Sequence, residues 1–180
     1  MKLFTCEIDS PVGPLFVAVD EGGALARLEF LGSHAARRMV TELESSGAQV
    51  APDASRCETV TRQLAEYFSG DRRDFDLEVR PTGTPFQLRV WDELRRIQFG
   101  TTISYAQLAA RIGEPGASRA VGRANGTNPI AIVVPCHRVI GADGSLTGFG
   151  GGLATKARLL ALERAHAGPR RGQMPLVAAG

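Results

Sequence analysis

Short runs of apolar residues, separated by turn-forming residues, fill the first part of the chain and are typical of β-strands. Three such runs lie at residues 3–8, 15–20 and 24–31. The connections between them are Ser10–Pro14 and Glu21–Gly23, which are rich in proline and glycine. Because both connections are short, we expect a three-stranded antiparallel meander.

Helical spacing appears in the next segment. Two helices are predicted, at about residues 33–45 and about 54–69. In the second helix the apolar positions recur every four residues: Val60, Leu64 and Phe68. Gly70 follows as a helix terminator. Residues 79–85, VRPTGTP, interrupt the pattern with two prolines and a glycine, so we place a domain boundary there.

The second part of the chain is predicted to be mostly helical. An apolar stripe at helical spacing indicates an amphipathic helix: Phe86, Val90, Leu94 and Ile97. Ser104, with Gln107 three residues later, is typical of a capping box, and the helix it opens stops at Gly113. Ser118 is expected to cap a second short helix. The two helices resemble a helix-turn-helix, and an ordinary helical hairpin is the alternative.

An unbroken apolar run, Ile130–Val134, predicts a buried strand that Pro135 ends. Cys136 follows directly after this proline. A glycine-rich loop lies at about residues 148–152, and the last helix is expected at about 153–165.

Together these elements predict an α/β (α+β) fold. Residues 1–80 form a small domain with a three-stranded antiparallel sheet and helices, and residues 86–166 form a mostly helical domain with a helix-turn-helix. We expect residues 167–180 to be a flexible tail. Hydrophobic residues are 43% of the chain and charged residues 22%, which is the balance of a globular protein and excludes a disordered or collagen-like chain.

Several classes of protein are not expected from this sequence. No apolar run approaches the length of a bilayer span, so no membrane association is expected. The first residues, MKLFTCEIDS, lack the apolar core and cleavage site of a secretory signal, and we expect a cytoplasmic protein. The three cysteines and three histidines do not have zinc-site spacing, so we expect no metal, no cofactor and no disulfide framework.

Positive charge is concentrated in the second part of the chain. Residues 1–100 carry 12 Lys/Arg and 16 Asp/Glu, a net charge of −4, whereas residues 101–180 carry 9 and 3, a net charge of +6. Such a basic half favours a polyanionic partner, and chance asymmetry is the alternative. Arg119 and Arg123 lie four apart among small residues, which favours phosphates or a groove. A closely packed helix with a solvated arginine pair is the alternative.

Cys136 is the candidate nucleophile, because it is expected at a turn anchored by the core. The thiolate is the reactive form, so a base must take the thiol proton. His137 is the candidate base, although a turn or a bridging water must bring the two neighbours together. Glu163, on the last helix, is the candidate acceptor that orients His137. Inert packing of a buried cysteine is the alternative.

The segment Ile132–Ile140, with Pro-Cys-His-Arg at its centre, resembles the active-site signature of the O6-alkylguanine-DNA alkyltransferases, or methylated-DNA–protein-cysteine methyltransferases. The resemblance extends from about Phe86 to Glu163. Its further elements are Ser104-Tyr105 with Gln107-Leu108-Ala109, Ser118-Arg119-Ala120-Val121-Gly122, Asn128-Pro129, and Gly150-Gly151-Gly152-Leu153 with Lys156. The turn Ser10–Leu15 is a looser match to that family's amino-terminal domain.

This resemblance implies a DNA-repair reaction in the domain at 86–166. Cys136 would take an alkyl group from O6 of guanine and keep it, so that each chain acts once. His137 and Glu163, through a bridging water, would help to generate the thiolate. Asn128 would steady the active-site turn. Tyr105 would donate a hydrogen bond to the purine and help guanine to leave as a neutral base.

The resemblance also implies a way of binding DNA. Arg119 would fill the gap that the flipped nucleotide leaves, while its small-residue helix lies in the minor groove. The implied DNA-binding residues are Ser118, Arg119, Ala120, Gly122 and Arg123. The implied base-pocket residues are Asn125, Val139, Phe149 and Gly150. The expected partner is duplex DNA containing O6-alkylguanine, bound by a monomer; activity on O4-alkylthymine and cooperativity along DNA stay open.

Two other functions stay open on the residues themselves. A cysteine hydrolase that uses Cys136, His137 and Glu163 would turn over and would need an oxyanion hole. A module that recognises alkylated DNA without chemistry would leave Cys136 unmodified. The sequence has no cysteine cluster for the zinc-binding regulatory domain of some relatives, so we expect no transcription-activating role.

Overall fold

A computed structural model describes residues 1–32 and 35–168 of the 180-residue chain. The start of the predicted helix at 33–45 and most of the predicted tail, residues 169–180, lie outside the described residues. The described part has the predicted α/β class, with an amino-terminal sheet followed by a mostly helical half.

The amino-terminal sheet contains the predicted antiparallel meander and one further strand. Its strands are β1 (Lys2–Ile8), β2 (Leu15–Asp20), β3 (Leu25–Phe30) and β4 (Gln49–Pro52), in the order β3-β2-β1-β4. β2 is buried along its whole length and pairs antiparallel with both neighbours. β4 pairs in parallel with β1. The apolar pattern does not predict β4, because this strand has only four residues and none of them is fully buried.

Helices cover both faces of the sheet. α1 (Ala35–Ser45) packs on one face, where its Met39 and Leu43 join Leu3 and Phe16 in a small core cluster. On the other face lies α2 (Glu58–Ser69), which a short 3-10 helix (Ala54–Cys57) precedes. The predicted helix at 54–69 is thus confirmed with a 3-10 first turn, and Gly70 ends it in the left-handed conformation, with a φ of +83°.

Up to residue 168, where the described part ends, the second half contains four α-helices and one short parallel ladder. They are α3 (Pro85–Arg95), α4 (Tyr105–Arg111), α5 (Ser118–Gly126) and α6 (Leu153–His166), with β5 (Ile103–Ser104) paired to β6 (Val139–Ile140). The predicted capping box is confirmed. The N–H of Gln107 donates to Oγ of Ser104 at 3.1 Å, and the N–H of Ser104 donates to Oε1 of Gln107 at 2.7 Å.

The predicted helix pair is present, but the predicted cap of its second helix is wrong. α4 and α5 pack against each other across the connector at 112–117. The N–H of Val121 donates to the carbonyl of Ala117 at 2.9 Å, so Ala117 is the N-cap. Ser118 is therefore already inside the helix and makes no capping hydrogen bond.

The strand predicted at Ile130–Val134 is wrong. Ile130 forms one bridge to Leu28 of β3, and the backbone then turns tightly. Ile132 has a φ of +71°, and the N–H of Val134 donates back to the carbonyl of Ile130 at 2.9 Å. All five residues are buried, and an apolar run does not distinguish a buried turn from a buried strand.

One hydrophobic core runs through both halves of the chain. Its members include Leu15, Val17, Leu25 and Leu28 of the sheet, Val90 and Leu94 of α3, and Leu159 of α6. Trp91 joins two of the helices in this core. Its side chain is 2% exposed, and its indole N–H donates to the carbonyl of Ala124 at 2.8 Å, which fixes the end of α5 on α3.

Replacing Trp91 with Phe is expected to lower the free energy of unfolding by about 1–2 kcal/mol, because the hydrogen bond to Ala124 is lost and the ring is smaller. Denaturant unfolding followed by circular dichroism measures this change. Leu88→Ala is the control on the same helix: Leu88 is 40% exposed, and a change within about 0.5 kcal/mol is expected. Equal losses in the two variants would contradict the role assigned to Trp91.

Candidate active site

Two asparagine side chains hold the backbone around Cys136. Cys136 begins a 3-10 helix (Cys136–Arg138) and is only 5% exposed. Nδ2 of Asn128 donates to the carbonyl of Val134 at 2.8 Å, and Oδ1 of Asn128 accepts from the N–H of Ile130 at 3.0 Å. Asn125, on α5, donates to the carbonyl of Cys136 at 3.3 Å. The turn and the cysteine are thereby tied to α5 and its end.

The turn before Cys136 is strained. The φ of +71° at Ile132 lies in a region that β-branched residues avoid. Such a conformation costs about 1–3 kcal/mol and persists only where surrounding contacts enforce it. Here the Ile132 side chain is fully buried, and Asn128 binds both ends of the turn. Tertiary contacts, rather than local preference, therefore set the position of the cysteine.

His137 and Glu163, which the sequence analysis singled out, are in direct contact. Nε2 of His137 lies 2.7 Å from Oε1 of Glu163, and both side chains are fully buried. Because a carboxylate only accepts hydrogen bonds, Nε2 carries the proton in this pair and Nδ1 presents a lone pair. Nδ1 is buried and has no hydrogen-bond partner among the described residues. It is therefore the free basic atom of the site.

Glu163 has three further donors, which the sequence analysis did not assign. Arg138 donates from Nε to Oε2 at 3.0 Å and from Nη2 to Oε1 at 2.9 Å. The hydroxyl of Tyr67, on α2, donates to Oε1 at 2.8 Å. The N–H of Gly100 donates to Oε2 at 3.0 Å. Both oxygens of the carboxylate are thus bound by donors from separate segments of the chain.

Burial and these partners set the protonation states. Burial acts to raise the pKa of Glu163, but the hydrogen bonds and charges of its basic partners outweigh burial and lower this pKa to about 2. Burial lowers the pKa of His137, although Glu163 acts to raise it. Burial raises the pKa of Cys136, against the opposing effects of Asn128 and Lys156. At neutral pH the site therefore holds a thiol, a neutral imidazole and a carboxylate.

Lys156 is a fully buried cation on α6. Its Nζ donates to the carbonyl of Val139 at 2.6 Å and to that of Thr147 at 2.8 Å. Burial lowers the pKa of Lys156, and the neighbouring Cys136 acts to raise it. The two hydrogen bonds tie the segment after the cysteine to α6. They also occupy the carbonyl of Val139, which was expected to line the base pocket.

A cavity of about 270 Å³ opens onto Cys136. Four other residues from the predicted site line it: Asn125, Asn128, Phe149 and Gly150. Tyr105, His137 and Val139 are not among its described lining residues. The amino-terminal half completes the wall with residues that the sequence analysis did not single out: Arg27, Glu29, Phe30, Arg38 and Met39.

Tyr105 lies where the helix pair meets the glycine-rich loop. Its hydroxyl accepts from Oγ1 of Thr147 at 3.3 Å and donates to the carbonyl of Thr147 at 3.4 Å. Its ring packs over Gly122 of α5, where a Cβ would come within 3.7 Å of the ring. Tyr105 therefore connects both helices of the pair to the loop.

α5 presents its two arginines to solvent. Arg119 and Arg123 are exposed, whereas Ser118, Ala120 and Gly122 are partly buried. The opposite side of the helix faces the core through Val121, Ala124 and Asn125. The exposed face thus combines two positive charges with a backbone that few side-chain atoms cover.

Two kinds of feature are absent from the part of the chain that the structure describes. Among residues 1–32 and 35–168, no helix combines the length and apolarity that crossing a bilayer requires. Within the same residues, no three His, Cys, Asp or Glu side chains form a group that could hold a metal ion. Cys6, Cys57 and Cys136 are all free thiols.

Of the residues that sequence reasoning missed, some had no sequence pattern that pointed to the site and one did. Tyr67 belongs to a helix with an ordinary apolar stripe, and Phe30 occupies an ordinary strand position, so neither carried a signal of its own. Arg138 did carry one, because it lies inside the Pro-Cys-His-Arg motif directly after His137. Its contact with Glu163 could have been proposed from its position in the motif, next to the histidine that Glu163 was expected to orient.

Known protein families match both halves of the chain. The family model described as 6-O-methylguanine DNA methyltransferase, ribonuclease-like domain, matches residues 5–81. The model described as 6-O-methylguanine DNA methyltransferase, DNA binding domain, matches residues 85–165. The two matches therefore cover nearly all of the described chain.

Individual proteins are similar over the same length. The methylated-DNA–protein-cysteine methyltransferase of Mycobacterium tuberculosis (strain H37Rv) is 48% identical over 160 residues, which cover 89% of this chain and 92% of that protein. The enzyme of the same name from Methanosarcina acetivorans is 44% identical over 155 residues, or 86% and 94% of the two chains. A crystal structure of Mycobacterium tuberculosis OGT in complex with DNA has a TM-score of 0.78 at 44% identity, covering 92% of this chain and 94% of that chain. The chain belongs to the 6-O-methylguanine DNA methyltransferase family.

Proposed function

We propose that this chain repairs alkylated DNA by transferring an alkyl group from O6 of guanine to the thiol of Cys136. One observation carries the proposal. The buried Cys136 lines a cavity, and the next residue is the buried His137, whose Nε2 is hydrogen-bonded to the carboxylate of Glu163. The names of the relatives support the same reaction for this chain. The location of this protein in the cytoplasm stays a prediction.

The first step is the ionisation of Cys136. Because burial raises the pKa of this thiol, a base must take its proton. The lone pair on Nδ1 of His137 receives it through a bridging water. The imidazolium that results is stabilised by the ionised Glu163, 2.7 Å from Nε2. The proton moves from sulfur to imidazole, so the net charge of the site does not change.

The second step is a displacement at the alkyl carbon. A sulfur–carbon bond forms while the carbon–O6 bond breaks, and the electron pair of the broken bond goes to the purine. The purine gains one proton, which balances the proton that the thiol lost. Tyr105 donates a hydrogen bond to the purine and so helps guanine to leave as a neutral base. The thioether product is stable, so each chain acts once.

The target atom lies inside the DNA duplex, so the damaged nucleotide must be flipped out. Flipping costs roughly a few kcal/mol, and less for a base that pairs poorly. Arg119, exposed on α5, fills the gap in the base stack. The small residues Ala120 and Gly122 let the backbone of α5 approach the minor groove. The net charge of +6 over residues 101–180 attracts the DNA phosphates.

Incubation with duplex DNA that contains O6-methylguanine should add one methyl group per chain, on the peptide that holds Cys136. The masses of the intact protein and of its peptides measure this. Cys136→Ser should abolish transfer and leave lesion binding largely intact. Repeated turnover, or label on Cys6 or Cys57, would contradict the proposal, and lesion binding without a change in mass would indicate a recognition module.

Glu163→Gln should slow alkyl transfer about tenfold or more at neutral pH, because the charge that stabilises the imidazolium is lost. In the unaltered protein the rate should hold as pH falls below the ordinary pKa of histidine, since burial keeps His137 neutral there, and should then decline as His137 becomes protonated. Transfer rates between about pH 5 and 9, corrected for the folded fraction, measure both effects.

Stability separates this role of Glu163 from a purely structural one. The pKa of Glu163 in the folded protein is about 2, so its stabilising charge is fully present above the ordinary pKa of about 4.3 and is lost as pH falls through about 2. Glu163→Gln should therefore be less stable at neutral pH, by a margin that shrinks in acid. A variant that is less stable but whose folded fraction reacts normally would contradict the catalytic role.

Arg119→Ala and Arg119→Lys should both slow the repair of a lesion in duplex DNA. A plug in the base stack needs a planar, extended group, which lysine does not offer. Neither variant should change the reaction with free O6-alkylguanine, because a free base needs no flipping. Transfer rates on the two substrates, measured side by side, test this.

Arg123 is the matched control on the same helix. Arg123→Ala should weaken binding to all duplexes and reduce the slope of log affinity against log salt by about one. A silent Arg119→Lys would make Arg119 a phosphate contact. Equal impairment of both substrates by Arg119→Ala would mean that Arg119 supports the fold or the pocket.

A further inference from the structure

One wall of the cavity above Cys136 comes from the amino-terminal sheet. Phe30, the last residue of β3, is half-buried and lines this cavity. The glycine-rich loop forms the wall near it with Phe149, Gly150 and Gly151. The space above the thiol is therefore bounded by two segments that lie about 120 residues apart in the sequence.

Phe30 packs directly on the aromatic residue of that loop. The rings of Phe30 and Phe149 meet edge to face, with centroids 5.4 Å apart and an interplanar angle of 61°. The ring centroids of Phe149 and His137 lie 6.5 Å apart, at an interplanar angle of 80°. Phe149 thus contacts Phe30 of the sheet, lies near the ring of the buried His137 and packs against the main hydrophobic core.

Phe30 also explains why position 151 has no side chain. A Cβ at Gly151 would lie 2.6 Å from Cδ2 and 2.8 Å from Cγ of Phe30, closer than real Cβ contacts allow. Gly151 does not have a positive φ, unlike Gly148 and Gly152, so its backbone does not itself demand glycine. The close approach of the Phe30 ring is the constraint.

The middle of the loop is open at Gly150. A Cβ at Gly150 would meet nothing within 4 Å. The N–H of Gly152 donates to the carbonyl of Phe149 at 2.9 Å, which closes the loop on itself, and Lys156 binds the loop further back, at the carbonyl of Thr147. The ring of Phe30, which meets Phe149 and would collide with a Cβ at Gly151, therefore braces the centre of the loop against the amino-terminal sheet.

We propose that Phe30 sets the width of the cavity above Cys136 by bracing Phe149 and Gly151, and so determines how large an alkyl group can reach the thiol. This rests on the proposed alkyl transfer. It gives the amino-terminal sheet a direct part in substrate selection. A smaller side chain at position 30 removes volume from the wall and lets the loop move back, which admits bulkier groups.

The test compares two lesions in duplex oligonucleotides of one sequence, O6-methylguanine and O6-benzylguanine. Phe30→Ala should raise the ratio of the benzyl to the methyl transfer rate by about tenfold or more, the range in which apolar pockets discriminate by size. Phe30→Leu should give a smaller rise and preserves more of the core. Phe4→Ala is the control, because Phe4 is a buried phenylalanine of the same sheet that does not line the cavity.

A second arm tests the brace itself. Gly151→Ala should slow transfer of both alkyl groups, because its Cβ collides with the Phe30 ring. Combining it with Phe30→Ala should remove most of that loss, so that the two changes are strongly non-additive. If Gly151→Ala lowered the transfer rate equally in the presence of Phe30 and in the Phe30→Ala background, the bracing role of Phe30 would be overturned.

The outcomes separate this inference from the proposed function. An unchanged benzyl-to-methyl ratio in both Phe30 variants, with transfer still occurring, would overturn the role of Phe30 alone. An equal rise in the ratio for Phe4→Ala would also overturn it, since loosening of the sheet would then suffice. Absence of transfer from either lesion by the unaltered protein would overturn the proposed function. Thermal unfolding of each variant ensures that rates refer to folded protein.

Discussion

The rest of the site depends on the hydrogen bonds that the buried carboxylate of Glu163 accepts. Removing such a charge from water costs several kcal/mol unless hydrogen bonds replace its hydration. His137, Arg138, Tyr67 and the N–H of Gly100 supply those bonds from separate parts of the chain. Because Tyr67 belongs to the amino-terminal half, both halves must be in place before the carboxylate is satisfied. The orientation of His137 therefore depends on contacts from both halves of the chain.

The turn before Cys136 places a reactive atom without exposing it. Buried apolar side chains anchor the turn, Asn128 closes it, and Ile132 accepts an unfavourable backbone conformation. The same burial raises the pKa of the thiol, so the resting protein carries a protonated cysteine. A thiol in that state reacts slowly with stray electrophiles, since the thiolate is the nucleophile. Position and protonation together restrict its reaction to molecules that fit the cavity.

Sequence patterns predicted secondary structure correctly where periodicity and capping residues agree. The predictions failed where tertiary contacts determine the conformation of the backbone. The helix after Ser104 was predicted with its capping box, because that signal is local. Ile130–Val134 was not, since burial on all sides looks the same in a strand and in a turn. The motif around Cys136 led to His137, and Glu163 was proposed as one of the few acidic residues in the second half of the chain. Tyr67 and Phe30 reach the site across long stretches of chain, so only the fold shows their contacts.

The buried lysine and the exposed arginines respond differently to dissolved ions. Lys156 is fully buried, so its effect on the Cys136 thiol acts through protein and is little screened. Arg119 and Arg123 face solvent, where the attraction to phosphates that we propose for them would fade beyond about 8 Å at physiological ionic strength. Ionic strength should therefore change the rate at which protein and DNA associate, and should have little effect on the ionisation of the Cys136 thiol. For the proposed repair reaction, a rise in salt concentration would therefore slow the search for lesions, whereas alkyl transfer at each lesion would keep its rate.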